Sequence, residues 1–96
     1  MNIYLSGKIT GLDRNETVSK FANYESMFAT HDVFNPLRYC VEKYGWDKEH
    51  SFYLSVILPF VFWCDAIVMF PDWQDSVGAI LEHETARSLG KKILYV

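Results

Sequence analysis

Two carboxylates stand two positions apart in the stretch DSVGAILEHETARSLG, residues 75 to 90: Glu82 and Glu84. On a helix, residues two apart cannot share a face. At 100° per residue, Gly78, Leu81, Glu82, Thr85, Ala86 and Leu89 fall in one arc, whereas Ile80, His83, Glu84 and Arg87 fall on the other side. The wheel turns Glu82 inward and leaves Glu84 facing solvent. An inward carboxylate is chemically useful, because ionised it attacks an electrophilic carbon or takes a proton, and protonated it gives one. Its arc neighbours Gly78 and Ala86 are small, which leaves room for a ligand near the helix start. There the unpaired N–H groups and the positive end of the helix dipole favour an anion.

The elements that must hold this acid read as follows. Short segments rich in Val, Ile, Tyr and Phe predict strands at residues 2–6, 32–35, 66–70 and 92–96. Longer segments predict helices at 16–29 after Asn15 as N-cap, at 49–63 with a kink near Pro59, and at 77–89 closed by Gly90. The order β-α-β-α-β-α-β implies one α/β domain over residues 1–96, Rossmann-like or flavodoxin-like. Its parallel sheet of about four strands is flanked by helices through right-handed crossovers. Ligands of such sheets lie beyond the carboxyl ends of the strands. That rule gathers the loop Ser6, Gly7, Lys8, Ile9, Thr10 and Gly11 after the first strand, and Asn35 with Pro36 after the second. To these it adds the segment from Pro71 to Ser76 after the third strand, and Glu82 in the helix that follows. The glycine loop is no Walker motif, since no G-K-[ST] closes it, and it lacks the G-x-G-x-x-G spacing.

Composition narrows the partners. Half of the 96 residues are apolar, enough for one core. The net charge is −3 and the nine Lys and Arg are dispersed, so nucleic acid is not an expected partner. Cys40 and Cys64 form no C-x-x-C or His-paired pattern, which predicts reduced thiols, a cytoplasmic location and no zinc site, and no metal or cofactor is expected. The first residues carry no basic region, long apolar stretch or cleavage site, so no signal peptide is expected. The apolar run from Phe52 to Cys64 is 13 residues long and contains Pro59. A membrane span needs about 20, so a buried helix is predicted instead. That helix is apolar on every side, and a chain this small cannot cover all of it. A homodimer or higher oligomer through residues 53–63 is therefore expected.

Three stretches together resemble the nucleoside 2-deoxyribosyltransferase family and its nucleotide N-glycosidase relatives, in particular a small branch from bacteria and their phages. They are IYLSGKITG at 3–11, CDAIVMFPDW at 64–73, and the S-x-G-x-x-x-E-x-x-x-A spacing of Ser76, Gly78, Glu82 and Ala86. The resemblance implies a cleft that holds a nucleoside or nucleoside 5′-monophosphate while a glutamate, here Glu82, attacks the anomeric carbon. The glycosyl ester so formed is resolved by water or by another base. It further implies that Tyr4 orients the nucleophile. A 5′-phosphate would be held by the Gly7–Gly11 loop with Lys8 and Thr10, by Ser76, and by the N–H of Gly78. Trp73, Tyr4 or Phe70 would stack on the base, and Asp72 and Asp75 would be the nearest acids to protonate it as it leaves. Both aspartates also suit plain turn formation.

One position departs from the family pattern. Its second helix carries a sugar-contacting aspartate eight residues before the position of Asp65. Here that position is Ile57, and no Asp or Glu occurs between His50 and Cys64. The first expectation is therefore slow cleavage or transfer of an N-glycosidic bond through Glu82. The alternative is a non-catalytic protein that senses or sequesters a nucleotide-like ligand.

Overall fold

The four strand-like runs pair in parallel to form one sheet. The computed structural model describes residues 1–96, with β1 at Asn2–Ser6, β2 at Asp32–Phe34, β3 at Ala66–Met69 and β4 at Lys92–Tyr95. Four helices connect or flank them: α1 (Arg14–Met27), α2 (Pro36–Tyr44), α3 (His50–Trp63) and α4 (Val77–Ser88). From β1 the chain steps one way to β2, then crosses back past β1 to β3 and on to β4. Right-handed crossovers in opposite directions put their helices on opposite faces. Accordingly Phe21 of α1 packs with Ile3, Leu5, Val68 and Phe70, whereas Val61 of α3 and Ala79 and Ala86 of α4 pack with Tyr4, Ile67 and Met69. β1 and β3 are buried on both faces, as expected for central parallel strands. They border the point where the winding reverses, which is where such sheets open a crevice.

Several boundaries differ from the sequence expectation, each for a local reason. The segment after β2 is a helix, α2, rather than a loop: the Asn35 side chain accepts the Arg38 N–H at 3.1 Å, and Pro36 fills a first-turn position that needs no donor. β2 stops at Phe34 because Asn35 is already the cap. α1 begins two residues early, with Asp13 rather than Asn15 as its cap, its carboxylate accepting the Glu16 N–H at 2.9 Å. α3 runs through Pro59 without interruption.

The largest correction concerns α4, whose buried face is Gly78, Ala79, Glu82, His83 and Ala86. Leu81 and Leu89, placed inward by the wheel, are exposed, and His83, placed outward, is buried. The true stripe is rotated by about 60° from the predicted one. Small residues let α4 lie close to the sheet, and the large leucines go to its flank. Glu82 belongs to both arcs and is inward in each.

Candidate active site

Glu82 lies on the sheet-facing side of α4 and reaches across to β1, where Tyr4 and Ser6, two residues apart, project from the same face of the strand. The Tyr4 hydroxyl donates to Oε2 of Glu82, and the Ser6 hydroxyl donates to Oε1 at 2.8 Å. All three side chains are buried, Glu82 being 5% exposed. Burial pushes the Glu82 carboxyl up to about 7, against the opposing pull of its two hydrogen bonds. Burial, then the Glu82 charge, raises the Tyr4 phenol well above its usual range, so Tyr4 stays a donor. The result is a desolvated carboxylate with a fixed orientation that gains or loses its proton near neutrality. Such a group serves as nucleophile or base at physiological pH.

Glu82 opens into a cleft of about 340 Å³, within the usual range for small-molecule sites. The cleft lies between the loop after β1, α2, and the first turns of α3 and α4. Gly7, Ile9, Thr10 and Gly11 form one wall, and Ser76 and Gly78 the start of α4. Ser76 caps α4 by accepting the Ala79 N–H at 3.1 Å, and the N–H groups of Val77 and Gly78 have no backbone or side-chain acceptor. Packing demands glycine at one position of this wall and crowds a second. A Cβ on Gly7 would stand 2.3 Å from the Phe70 ring, and one on Gly78 would stand 3.2 Å from the His50 imidazole. His50 is thus seated against the first turn of α4, one helical turn from Glu82.

The remaining residues proposed from sequence are placed elsewhere. Asp72 does not line the cleft; its carboxylate accepts the Lys8 N–H at 3.0 Å and the Lys20 ammonium at 2.7 Å. Burial works to raise its pKa, but these bonds outweigh it and hold the carboxyl below its ordinary value. Asp72 is therefore an ionised strut rather than a ready acid. Asp75 is exposed in the 3₁₀ turn Trp73–Asp75, outside the cleft. Trp73 stacks on His83 at 4.2 Å between ring centroids, Tyr4 packs on Phe34, and Phe70 on Phe21 and Tyr24, and none of the three rings lines the cleft. Asn35 caps α2 and donates to Glu25 at 3.0 Å. Lys8 contributes its backbone, not its side chain, to a contact described for the loop.

In their place the cleft is lined by residues outside the expected set, apart from His50, which with Ser51 and Ser55 is the nearest polar substitute for the aspartate that Ile57 replaces. Trp46 and Tyr53 are its aromatics, and Arg14, Lys48 and His50 its cationic or protonatable groups. Cys40 also lines it, its thiol pushed up to about 11 by burial and then by the neighbouring Glu82. The unexpected helix α2 and the turn after it supply Cys40, Trp46 and Lys48, which had no assigned position, whereas His50 and Tyr53 lie on the expected α3 and Arg14 opens α1. One signal was readable: His50, Leu54 and Ile57 recur at i, i+4 and i+7, one face of α3, and all three line the cleft.

No curated protein matches the chain. Residues 1–95 match a family described as a domain of unknown function, a span that takes in the whole sheet, the four helices and every residue of the cleft. The chain belongs to that family, Domain of unknown function (DUF4406).

Proposed function

We propose that this protein cleaves or transfers the N-glycosidic bond of a nucleoside or nucleoside 5′-monophosphate, with Glu82 as the nucleophile. The observation that carries the reading is the Glu82 carboxylate, buried, hydrogen-bonded by Tyr4 and Ser6, and opening into a cleft of small-molecule size. In the first step a Glu82 oxygen bonds to the anomeric carbon, the carbon–nitrogen bond breaks, and its electron pair departs with the base. Water or a second base then displaces Glu82 from the same side that the first base left, giving overall retention. Tyr4 and Ser6 fix the carboxylate for attack and hold it when it leaves. Among the side chains lining the cleft, His50 has the chemistry to give the departing base its proton, a role that the ion-paired Asp72 does not fit. The reading includes a cytoplasmic setting and a homo-oligomer.

One observation favours the alternative of binding without turnover. Ile57 is 7% exposed and lines the cleft, so that position offers the sugar an apolar surface and no hydrogen bond. Both readings are tested by incubating wild type and Glu82→Ala with a panel of nucleosides and 5′-monophosphates and measuring free base by mass spectrometry, alongside calorimetric binding. Free base from wild type alone supports the enzyme. Binding without base supports the sensor, and neither binding nor base overturns both.

A further inference from the structure

We propose that Lys20 and Asp72 are positioning residues for the cleft, an ion pair that holds the ligand-facing loop of residues 7–11 in its working shape. The loop leaves β1 at Gly7 and joins α1 only at Arg14, and its one internal backbone hydrogen bond is Leu12 N–H to Ile9 C=O at 3.3 Å. Its conformation must therefore come from outside. Both backbone groups of Lys8 are gripped by the same pair: Oδ1 of Asp72 accepts the Lys8 N–H at 3.0 Å, and the Lys20 ammonium donates to the Lys8 C=O at 2.9 Å. The ammonium also donates to Oδ2 of Asp72 at 2.7 Å, which closes the ring. Three separate elements meet there: α1, the loop after β1, and the loop after β3.

Two further contacts make this more than a surface salt bridge. The Lys20 and Asp72 side chains are 24% and 30% exposed, and the ammonium lies 5.7 Å and 5.8 Å from the Phe21 and Phe70 ring centres. Phe70 is the ring against which Gly7 is pressed. Fixing the peptide planes on both sides of the Lys8 Cα sets the direction of Ile9, Thr10 and Gly11, which line the cleft. Because β1 and β3 flank the winding reversal, tying their loops together from the α1 side closes the crevice there and leaves it open toward α2, α3 and α4. A half-buried, charge-assisted ring can hold a loop where water-mediated contacts would let it move.

The inference rests on the proposed function only for its catalytic readout, so the test has two arms. Amide hydrogen exchange is measured for wild type, Lys20→Met, Lys20→Arg and Asp72→Asn. Lys20→Met keeps the apolar stem over the rings, and Lys20→Arg keeps the charge and can reach both acceptors. Exchange about tenfold faster confined to residues 8–12 in the Met and Asn variants, and largely restored in the Arg variant, supports the strut. Unchanged or globally faster exchange overturns it. In the second arm, the variants are assayed with the same panel of 5′-monophosphates. A KM raised roughly tenfold to a hundredfold at unchanged kcat supports positioning. A lower kcat at unchanged KM, with loss of the alkaline limb of the pH profile, overturns it by making Asp72 the acid. If wild type acts on nothing in the panel, the functional reading has failed and the exchange arm alone decides.

Discussion

At the scale of single residues, Glu82 links stability to chemistry. Its carboxyl sits at about 7 in the fold against an ordinary 4.5, so the folded chain keeps a proton that the unfolded chain has released. This contribution to stability is full below about pH 4.5 and is lost as pH rises through about 7, a change on the order of 3 kcal/mol for a raised pKa of this size. Urea melts of wild type and Glu82→Gln at pH 5 and pH 8 should show the variant gaining on wild type at pH 8 by up to about that amount. A gap that stays constant between the two pH values sinks the assignment. Turnover should run the other way, rising with pH as the nucleophile ionises, and Glu82→Ala should abolish it whereas Glu84→Ala, exposed and paired with Arg87 at 2.7 Å, leaves it intact. Glu82 was legible in sequence because only one of two acids at that spacing can face a core. Trp46 was not, since it follows a helix that periodicity did not reveal, and His50 and Tyr53 of the expected α3 line a cleft only because α2 packs against α3. Ile57 gives the sharpest residue-level contrast. On the proposed function, replacing it with Asp gives the sugar a hydrogen-bonding partner, and such contacts commonly carry about 2 to 4 kcal/mol of a barrier, on the order of 30- to 1000-fold in rate. Any residual base release should rise in Ile57→Asp, read only after a thermal melt shows that the buried, partnerless carboxylate has not unfolded α3.

At the scale of elements, the strands and their parallel pairing followed from composition and order, but helix ends depended on caps that compete with one another. Asp13 took the α1 cap from Asn15, and Asn35 served as the cap of α2 rather than as the end of β2. Asn35→Ala should therefore weaken the fold rather than chemistry itself. It removes a cap and the bond to Glu25, a loss of about 1 kcal/mol or somewhat more, seen as a lower melting temperature with KM and kcat little changed. A large kcat defect in a well-folded Asn35→Ala protein would return Asn35 to the site. Gly7 tests the opposite case, where sequence suggested a phosphate loop and the structure adds a packing demand. A methyl group there overlaps Phe70, and overpacking of this kind typically costs 1–3 kcal/mol. Gly7→Ala should lower the melting point even with no ligand present, and an unchanged melt would show that the loop can move away from Phe70.

At the scale of the whole molecule, the question is what covers the apolar side chains that the fold leaves outside. Along α3, Ile57 and Val61 are buried, but Phe62 is 59% and Trp63 41% exposed at its end. Val77, Ile80 and Leu81 are exposed on α4, which packs beside α3. The wheel placed Leu81 in the core, and what matters here is that it is one of several exposed apolar side chains on neighbouring helices, since a contiguous apolar patch rather than a lone residue marks a contact surface. The part of α3 that faces solvent is narrower than the all-round apolar helix expected from sequence, since Ser51, Ser55 and Pro59 share its exposed side. The predicted interface is accordingly centred on the carboxyl-terminal end of α3 and the outer flank of α4. The Cα radius of gyration of the chain is 12.1 Å, close to the roughly 12.5 Å expected for one domain of this length, whereas a compact pair of twice the length should approach about 16 Å. Small-angle scattering at micromolar concentration should give the larger value for wild type. Phe62→Lys, which places a charge in the contact without touching the cleft, should return it toward the smaller one while leaving the melting of an isolated chain intact. A wild-type protein that stays at the single-chain value across a hundredfold concentration range would show that these side chains meet no second copy.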